Sequence, residues 1–254
     1  MKIAVLADVH ANLEALEAVL DDLGEWPDAI VIAGDLIGYG ADPNAVVARI
    51  RATGARCVWG NHEGMLLGRL SLRRCIYAGI HAIRWTRKIL NPEARQWLEG
   101  LPFALDVAPG IRMVHADPRD SEKYVNTPTL AGEALAAVSP DIRVLIAGHT
   151  HEPVLWNGGA WTRAQPGPHK LEGRALLNPG AVGQSPNAQR VARYARLDLA
   201  ANIVTFHELD YPWQRTAKKM QEAGLVPLLC DQKINPGQRL LNAVRTRWLR
   251  WTAT

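Results

Sequence analysis

Short apolar runs punctuate the chain, and most of them stop at a residue able to bind a proton or a metal. Residues 3–7 have the length and composition of a strand buried on both faces, and they end at Asp8-Val9-His10. Leu13, Leu16, Val19, Leu20 and Leu23 then recur at helical spacing, with Asn12 placed to cap this helix and Gly24 to stop it. A second strand over 29–33 ends in Gly34-Asp35, and a helix follows over 45–50. A third strand, over 56–59, ends in Gly60-Asn61-His62-Glu63. Strand alternating with helix three times predicts parallel pairing through right-handed crossovers, and so an α/β layered fold.

Residues 64–105 break that rhythm. Helices are expected over 66–80, 81–90 and 92–98, with Tyr77, Trp85 and Trp97 as an aromatic stripe packed on the sheet. The other use of this stretch is a lid whose arginines (Arg69, Arg73, Arg74, Arg84 and Arg87) face a substrate. The sheet resumes over 111–114 and ends in His115. A helix over 129–138 leads to a strand over 143–147 and then Gly148-His149-Thr150-His151. Asn157-Gly158 signals a hairpin within 154–164. A loop over 165–169, a strand over 174–177 before Asn178-Pro179-Gly180, and an antiparallel pair over 191–197 and 203–207 complete the sheet elements. From Tyr211 the pattern is helical, with a break at 224–227 and a basic, Trp-containing end over 239–251. The expected organisation is one domain over 1–208 with a helical insert at 64–105, then a helical appendage over 209–254.

Composition narrows the class. A hydrophobic content of 48% and a charged content of 21% describe an ordinary globular chain. The net charge of +4 suits an acidic small molecule such as a phosphate ester, and no basic stripe indicates nucleic acid. Three cysteines without paired spacing predict a reducing compartment, the cytoplasm. The apolar N-terminal run is too short for a secretory leader, and no stretch approaches the ~20 apolar residues of a membrane span.

The predicted strand ends carry Asp8, His10, Asp35, Asn61, His62, His115, His149 and His151, which include five of the chain's eight histidines. Sites in open α/β sheets form outside the carboxyl ends of the strands, so these side chains are expected to converge. Carboxylate, imidazole and one amide oxygen suit Mn²⁺, Fe or Zn²⁺, and the lack of cysteine argues against a structural zinc site. So many donors exceed one ion and suit two sharing a carboxylate. Two such ions roughly 3.5–4 Å apart clamp the attacking and leaving oxygens of a displacement at phosphorus. A bridging water, ionised near neutral pH, then removes the need for a protein nucleophile. His81, His169 and His207 have no partner motif and read as packing or surface residues.

The ordered set Asp8-x-His10, Gly34-Asp35, Gly60-Asn61-His62-Glu63, His115 and Gly148-His149-x-His151 resembles the calcineurin-like metallophosphoesterases. More narrowly, it is similar to their small bacterial and archaeal phosphodiesterase branch, called YfcE-like. The resemblance covers residues 1 to about 208, and the segment at 224–227 is similar to that branch's C-terminal part. It implies a four-layer α/β/β/α sandwich and two divalent metal ions, Mn²⁺ first, with Fe, Zn²⁺ or Ni²⁺ compatible. Asp8, His10 and His151 would hold one ion, Asn61, His115 and His149 the other, and Asp35 would bridge. His62 would contact the phosphate and act as general acid, and Asn12 would also reach the phosphate. The implied activity is hydrolysis of phosphate esters, above all small phosphodiesters or nucleotides. The alternative is a metal-binding scaffold used for protein contacts, which the intact donor set disfavours. An apolar face over 239–250 would suit packing on the domain or on a second copy.

Two departures from the family pattern stand out. Gly38 occupies the position of an Asp that commonly orients the general-acid histidine, leaving Tyr39, Glu63 or a water to support His62. Ala181 replaces a serine after Asn178-Pro179-Gly180 and removes one hydroxyl.

Overall fold

The computed structural model describes residues 1–185 and 189–226. Strands β1 (Lys2–Leu6), β2 (Ala29–Ile32) and β3 (Arg56–Cys57) pair in parallel, as the strand–helix alternation predicts. Antiparallel β11 (Val191–Asp198) and β12 (Ile203–Asp210) extend this sheet from β1, and β9 (Gly167–Lys170) closes its edge. The second sheet runs β4-β5-β6-β10-β7-β8, formed by Ala104–Ala108, Ile111–Val114, Val144–Ile146, Ala175–Pro179, Pro153–Asn157 and Ala160–Arg163 in that order. In it β5, β6 and β10 are parallel, so their carboxyl ends lie together.

The apolar runs lack alternation because both faces of each central strand are covered. Ile3, Val5 and Ala7 meet Met113, Ile146 and Leu177 between the two sheets. Ala4 and Leu6 point the other way, onto Leu16 and Val19 of α1 (Leu13–Leu23), with Val47 and Ile50 of α2 (Pro43–Ala52) in the same core. Outside the second sheet, Leu145 and Leu176 pack on Ala131 and Leu135 of α6 (Pro128–Ala136). The result is the four-layer α/β/β/α sandwich.

Three local expectations are corrected. Residues 66–90 are not two long helices. α3 (Asn61–Leu66) starts inside the Gly-Asn-His-Glu motif and ends before Gly68, whose φ of 76° is left-handed. A single 3₁₀ turn at Leu72–Arg74 precedes α4 (Tyr77–Ile89), which runs straight through the expected break at 80/81. The stretch 104–108 is a strand, too short and too mixed to declare itself, with a register shift between Asp106 and Ala108. The expected loop at 165–169 is largely β9, where Pro168 is tolerated because the strand lies at an edge. The expected 92–98 helix is α5 (Pro92–Glu99), and Trp97 and Tyr77 pack on the outer core as expected of a helical layer. The basic end at 239–251 lies outside the described residues.

Helix α7 (Trp213–Glu222) docks on the first helix through polar and apolar contacts. Lys219 pairs with Glu14 and Asp42, and Met220 packs with Ala82 and Leu225. Asn12 sits at the centre of this junction, fully buried. Its Oδ1 accepts from the Ala15 N–H at 3.2 Å and lies 3.0 Å from the Thr216 hydroxyl. Its Nδ2 donates to the Gly183 carbonyl at 2.9 Å and to the Tyr211 hydroxyl at 3.2 Å. Both amide protons are donated, and Oδ1 caps α1 while sharing the Thr216 hydroxyl with Glu14, so in this structure the residue is a helix cap and a tether for α7, and the phosphate contact that the resemblance implies for Asn12 finds no free amide proton. Asn12→Ala removes the cap and strands buried partners, and is expected to cost about 2–3 kcal/mol. Thermal unfolding checks this, since a phosphate ligand would instead lose substrate affinity with the midpoint unchanged.

Candidate metal centre

Each chemically capable residue predicted at a strand end stands at one. Asp8 and His10 follow β1, Asp35 follows β2, Asn61 and His62 follow β3, His115 follows β5, and His149 and His151 follow β6. The backbone turns sharply to aim them. Asp8, His10, Asp35, His149 and His151 all have left-handed φ between 50° and 67°, five of the eight such non-glycine residues among those described. Each costs on the order of 1–3 kcal/mol, a strain that clusters where function over-determines the backbone. Glycines beside them make room. A Cβ at Gly60 would lie 2.2 Å from Asp35 Oδ1, and one at Gly148 would lie 2.8 Å from Asp8 Oδ2.

The donors meet in two groups. His10 Nε2 is 3.0 Å from His151 Nε2, with Asp8 Oδ1 3.9 Å from the first and 3.5 Å from the second. His115 Nε2 is 2.9 Å from Asn61 Oδ1 and 3.2 Å from His149 Nδ1. Asp35 Oδ2 stands between the groups, 3.8 Å from His10 Nε2 and 3.5 Å from His115 Nε2. Asp8, His10 and His151 form one set close enough to share an ion, Asp35, His115 and His149 form another, and His10, Asp35 and His62 form an overlapping third.

The rings are oriented from behind. His115 Nδ1 donates to the Ala33 carbonyl at 2.7 Å, and His149 Nε2 faces the Glu122 carbonyl at 3.3 Å. Their opposite nitrogens are therefore left as bare lone pairs pointing into the cluster, as ligation requires. Asp8 accepts from the His149 N–H and Asp35 from the His62 N–H, the latter at 2.8 Å.

Burial sets the protonation. Loss of water pushes Asp35 up to about 8, against the hydrogen bond from His62. It raises Asp8 as well, with Asp35 adding to the effect. The same desolvation brings His115 down to about 4 and His149 and His151 to about 3, and lowers His10 and His62. Acids that hold their protons beside imidazoles that refuse them describe a donor set built for a cation. A divalent ion favours the carboxylates and takes the imidazole lone pairs at once. The residues fit the two ions that the sequence leads one to expect.

Two residues take supporting roles that the sequence did not assign them. Glu63, fully buried, accepts from the backbone N–H groups of Asp35, Leu36, Ile37 and Gly60 at 2.8–3.1 Å and ties the Asp35 turn to the Asn61 turn. Asn178 donates to the Gly148 carbonyl at 2.7 Å and the Thr150 hydroxyl at 3.0 Å, bracing the turn that carries both histidines. Neither is visible as periodicity, although each lies inside a motif. Glu63 is thereby excluded as a support for the His62 ring.

Packing holds that ring instead. His62 lies between the rings of His10 and Tyr39, with centroids 4.8 and 4.7 Å away. Its Nδ1 has no hydrogen-bond partner and abuts Gly38, where a Cβ would fall only 2.0 Å from it. Its Nε2 lies 3.9 Å from Asp35 Oδ2, and the residue lines the cavity. Gly38 fixes the ring by close packing, without the hydrogen bond to Nδ1 that a carboxylate would accept.

Comparison with known proteins agrees with this architecture. The calcineurin-like phosphoesterase superfamily domain matches residues 1–202. The chain belongs to that superfamily. The uncharacterized protein MJ0912 of Methanocaldococcus jannaschii is 30% identical over 231 residues, covering 86% of this chain and 91% of that one. A metallophosphoesterase from Sphaerobacter thermophilus superposes with a TM-score of 0.80 at 35% identity, covering 90% and 96% of the two chains. A hypothetical protein, PH1004 of Pyrococcus horikoshii, shares the fold with a TM-score of 0.75 at 18% identity, covering 91% and 98%. As a calcineurin-like phosphoesterase, the chain is a hydrolase of phosphate esters from a family that works with divalent metal ions. Among the described residues no helix is long and apolar enough to cross a membrane.

Ions that bind only the folded chain stabilise it by mass action. At about a hundredfold excess over Kd, Mn²⁺ is expected to add roughly 2.7 kcal/mol, or about 5–10 °C in Tm. Calorimetric scans with and without Mn²⁺ check this, and Asp35→Asn should erase most of the increment.

Proposed function

We propose that this calcineurin-like phosphoesterase is a phosphodiesterase, hydrolysing small phosphodiesters or nucleotides at two divalent metal ions, Mn²⁺ foremost. The observation that carries the reading is the Asp35 carboxylate oxygen lying between two donor groups. In this reading Asp8, His10 and His151 would hold one ion, Asn61, His115 and His149 the other, and Asp35 would serve both. When bound, such a pair supplies Lewis acidity at the phosphoryl oxygens and a more acidic water.

The chain's own groups then bind, orient and move a proton. His62, seated against Gly38 and lining the cavity, would act as general acid in its doubly protonated form, which the anionic phosphate beside it favours, passing the Nε2 proton to the departing oxygen and returning to the neutral imidazole. Proton transfer from a positioned side chain contributes typically about 10²–10⁴-fold. Asp35, anchored by the His62 backbone N–H, keeps this donor in register with the donor groups. The catalytic domain in this reading spans 1–208 with residues 64–105 as its helical insert, and the odd cysteine count supports a cytoplasmic setting.

Hydrolysis of bis-p-nitrophenyl phosphate with added Mn²⁺ tests the proposal. The full chain should show metal-dependent turnover, and a protein-contact scaffold would show none. For a diester with an alkyl leaving group, His62→Ala should lower kcat by about 10²-fold or more. The p-nitrophenyl ester, whose leaving group needs no proton, should lose far less. Gly38→Ala, which drives a methyl into the ring, should show the same leaving-group split in milder form. Equal losses on both esters would remove His62 from proton transfer.

A further inference from the structure

The donor groups floor a cavity of about 480 Å³, within the range of pockets that enclose a whole small molecule. A phosphate group occupies little of that space, so the remainder bears on what the phosphate is attached to. Four large apolar side chains are exposed among the described residues: Met1, Ile76, Ile89 and Tyr124. Single exposed apolar residues are unremarkable, but two of these four, Ile76 at 50% and Tyr124 at 53% exposure, line this one cavity.

Their setting is built. The Tyr124 ring lies over the His149 imidazole with centroids 4.1 Å apart and planes 27° from parallel, so its orientation is fixed. Ile76 is contributed by the segment between the 3₁₀ turn and α4, the part of the helical insert that reaches the cavity. Arg74, also in the wall, is tied to Glu122 at 3.2 Å and approached by Asp120 at 3.8 Å, which links that segment to the loop bearing Tyr124. Of the five arginines that a lid would have used, Arg69 and Arg87 bind backbone carbonyls elsewhere, and Arg74 alone is among the residues lining the cavity.

We infer that the rim formed by Tyr124 and Ile76 is a stacking subsite for a nucleobase, making a nucleoside phosphodiester the preferred substrate. This rests on the phosphodiesterase reading above. An ionic floor with an aromatic shelf beside it matches a ligand that is anionic at one end and flat at the other. The guanidinium of Arg74 adds a cation and a second planar surface at the same rim. A long alkyl chain would need a continuous apolar wall, whereas the remaining lining is mostly polar, with Glu122, Thr150 and Gln184 among it.

The test uses the Mn²⁺-loaded full chain and three diesters with one leaving group: p-nitrophenyl esters of thymidine 5′-phosphate, methyl phosphate and octyl phosphate. The thymidine ester should show a KM about tenfold below that of the methyl ester, the scale of one base–aromatic stack. Ile76→Ser should raise that KM several-fold with kcat within about twofold and leave the methyl ester unchanged, and Tyr124→Ala, which also uncovers His149, should raise KM for the thymidine ester several-fold to tenfold more than for the methyl ester. Tyr124→Phe, which keeps the ring over His149, should behave as the parent. Equal KM for thymidine and methyl esters, preference for the octyl ester, or indifference to Tyr124→Ala would each overturn the subsite. If no ester is hydrolysed, the phosphodiesterase reading fails separately. Calorimetric binding of thymidine 5′-phosphate against methyl phosphate then still decides the subsite, and equal affinities would end it.

Discussion

Two carboxylates and five imidazoles share a small buried volume at the carboxyl ends of five strands, and the surrounding structure is arranged around the cost of that choice. Desolvation drives Asp8 and Asp35 toward their protonated forms and all five imidazoles toward neutrality. Without a cation the set has weak internal attraction; with divalent ions each carboxylate and each lone pair gains a partner in a low-dielectric site. The strained turns make sense only in that light. A chain that needed these residues merely as loop ends would relax the left-handed backbone at Asp8, His10, Asp35, His149 and His151.

Rigidity comes from a layer of neutral and satisfied contacts behind the donors. Glu63 spends its carboxylate on four backbone amides, Asn178 clamps the last turn, and Ala33 and Glu122 carbonyls hold two rings from the far side. Gly38 stands apart, since it orients His62 by offering a void rather than a bond. The floor is thus determined by packed sheets and backbone hydrogen bonds, while the rim is made by loop residues 117–124 and the segment before α4, where Arg74 and Ile76 touch none of the donors and Tyr124 meets only His149. That division explains how one floor can serve unlike substrates.

Much of this was legible in the sequence, and the limits have physical causes. The strand ends announced themselves because parallel strands covered on both faces are uninterrupted apolar runs, so the first polar residue after each run marks the site. Ala104–Ala108 and Gly167–Lys170 were missed because edge and short strands carry mixed residues and take their conformation from a partner strand. α4 was split in two because its buried face at Ala78, Ile80, Ala82 and Ile83 is set by the neighbouring helix and sheet rather than by punctuation. Asn12 was legible as a cap, but its ties to Gly183, Tyr211 and Thr216 span some 170–200 residues and leave no local trace. The seat of His62 was hidden for the opposite reason: it depends on a side chain that Gly38 does not have.

The whole account turns on a shared carboxylate holding two ions in one chain. Metal analysis of the purified full chain after loading and desalting, set beside Asp35→Asn, addresses this most directly. The account predicts two equivalents of Mn²⁺ per chain, with the variant keeping one or fewer. A single equivalent in the parent chain, or two retained by the variant, would contradict it.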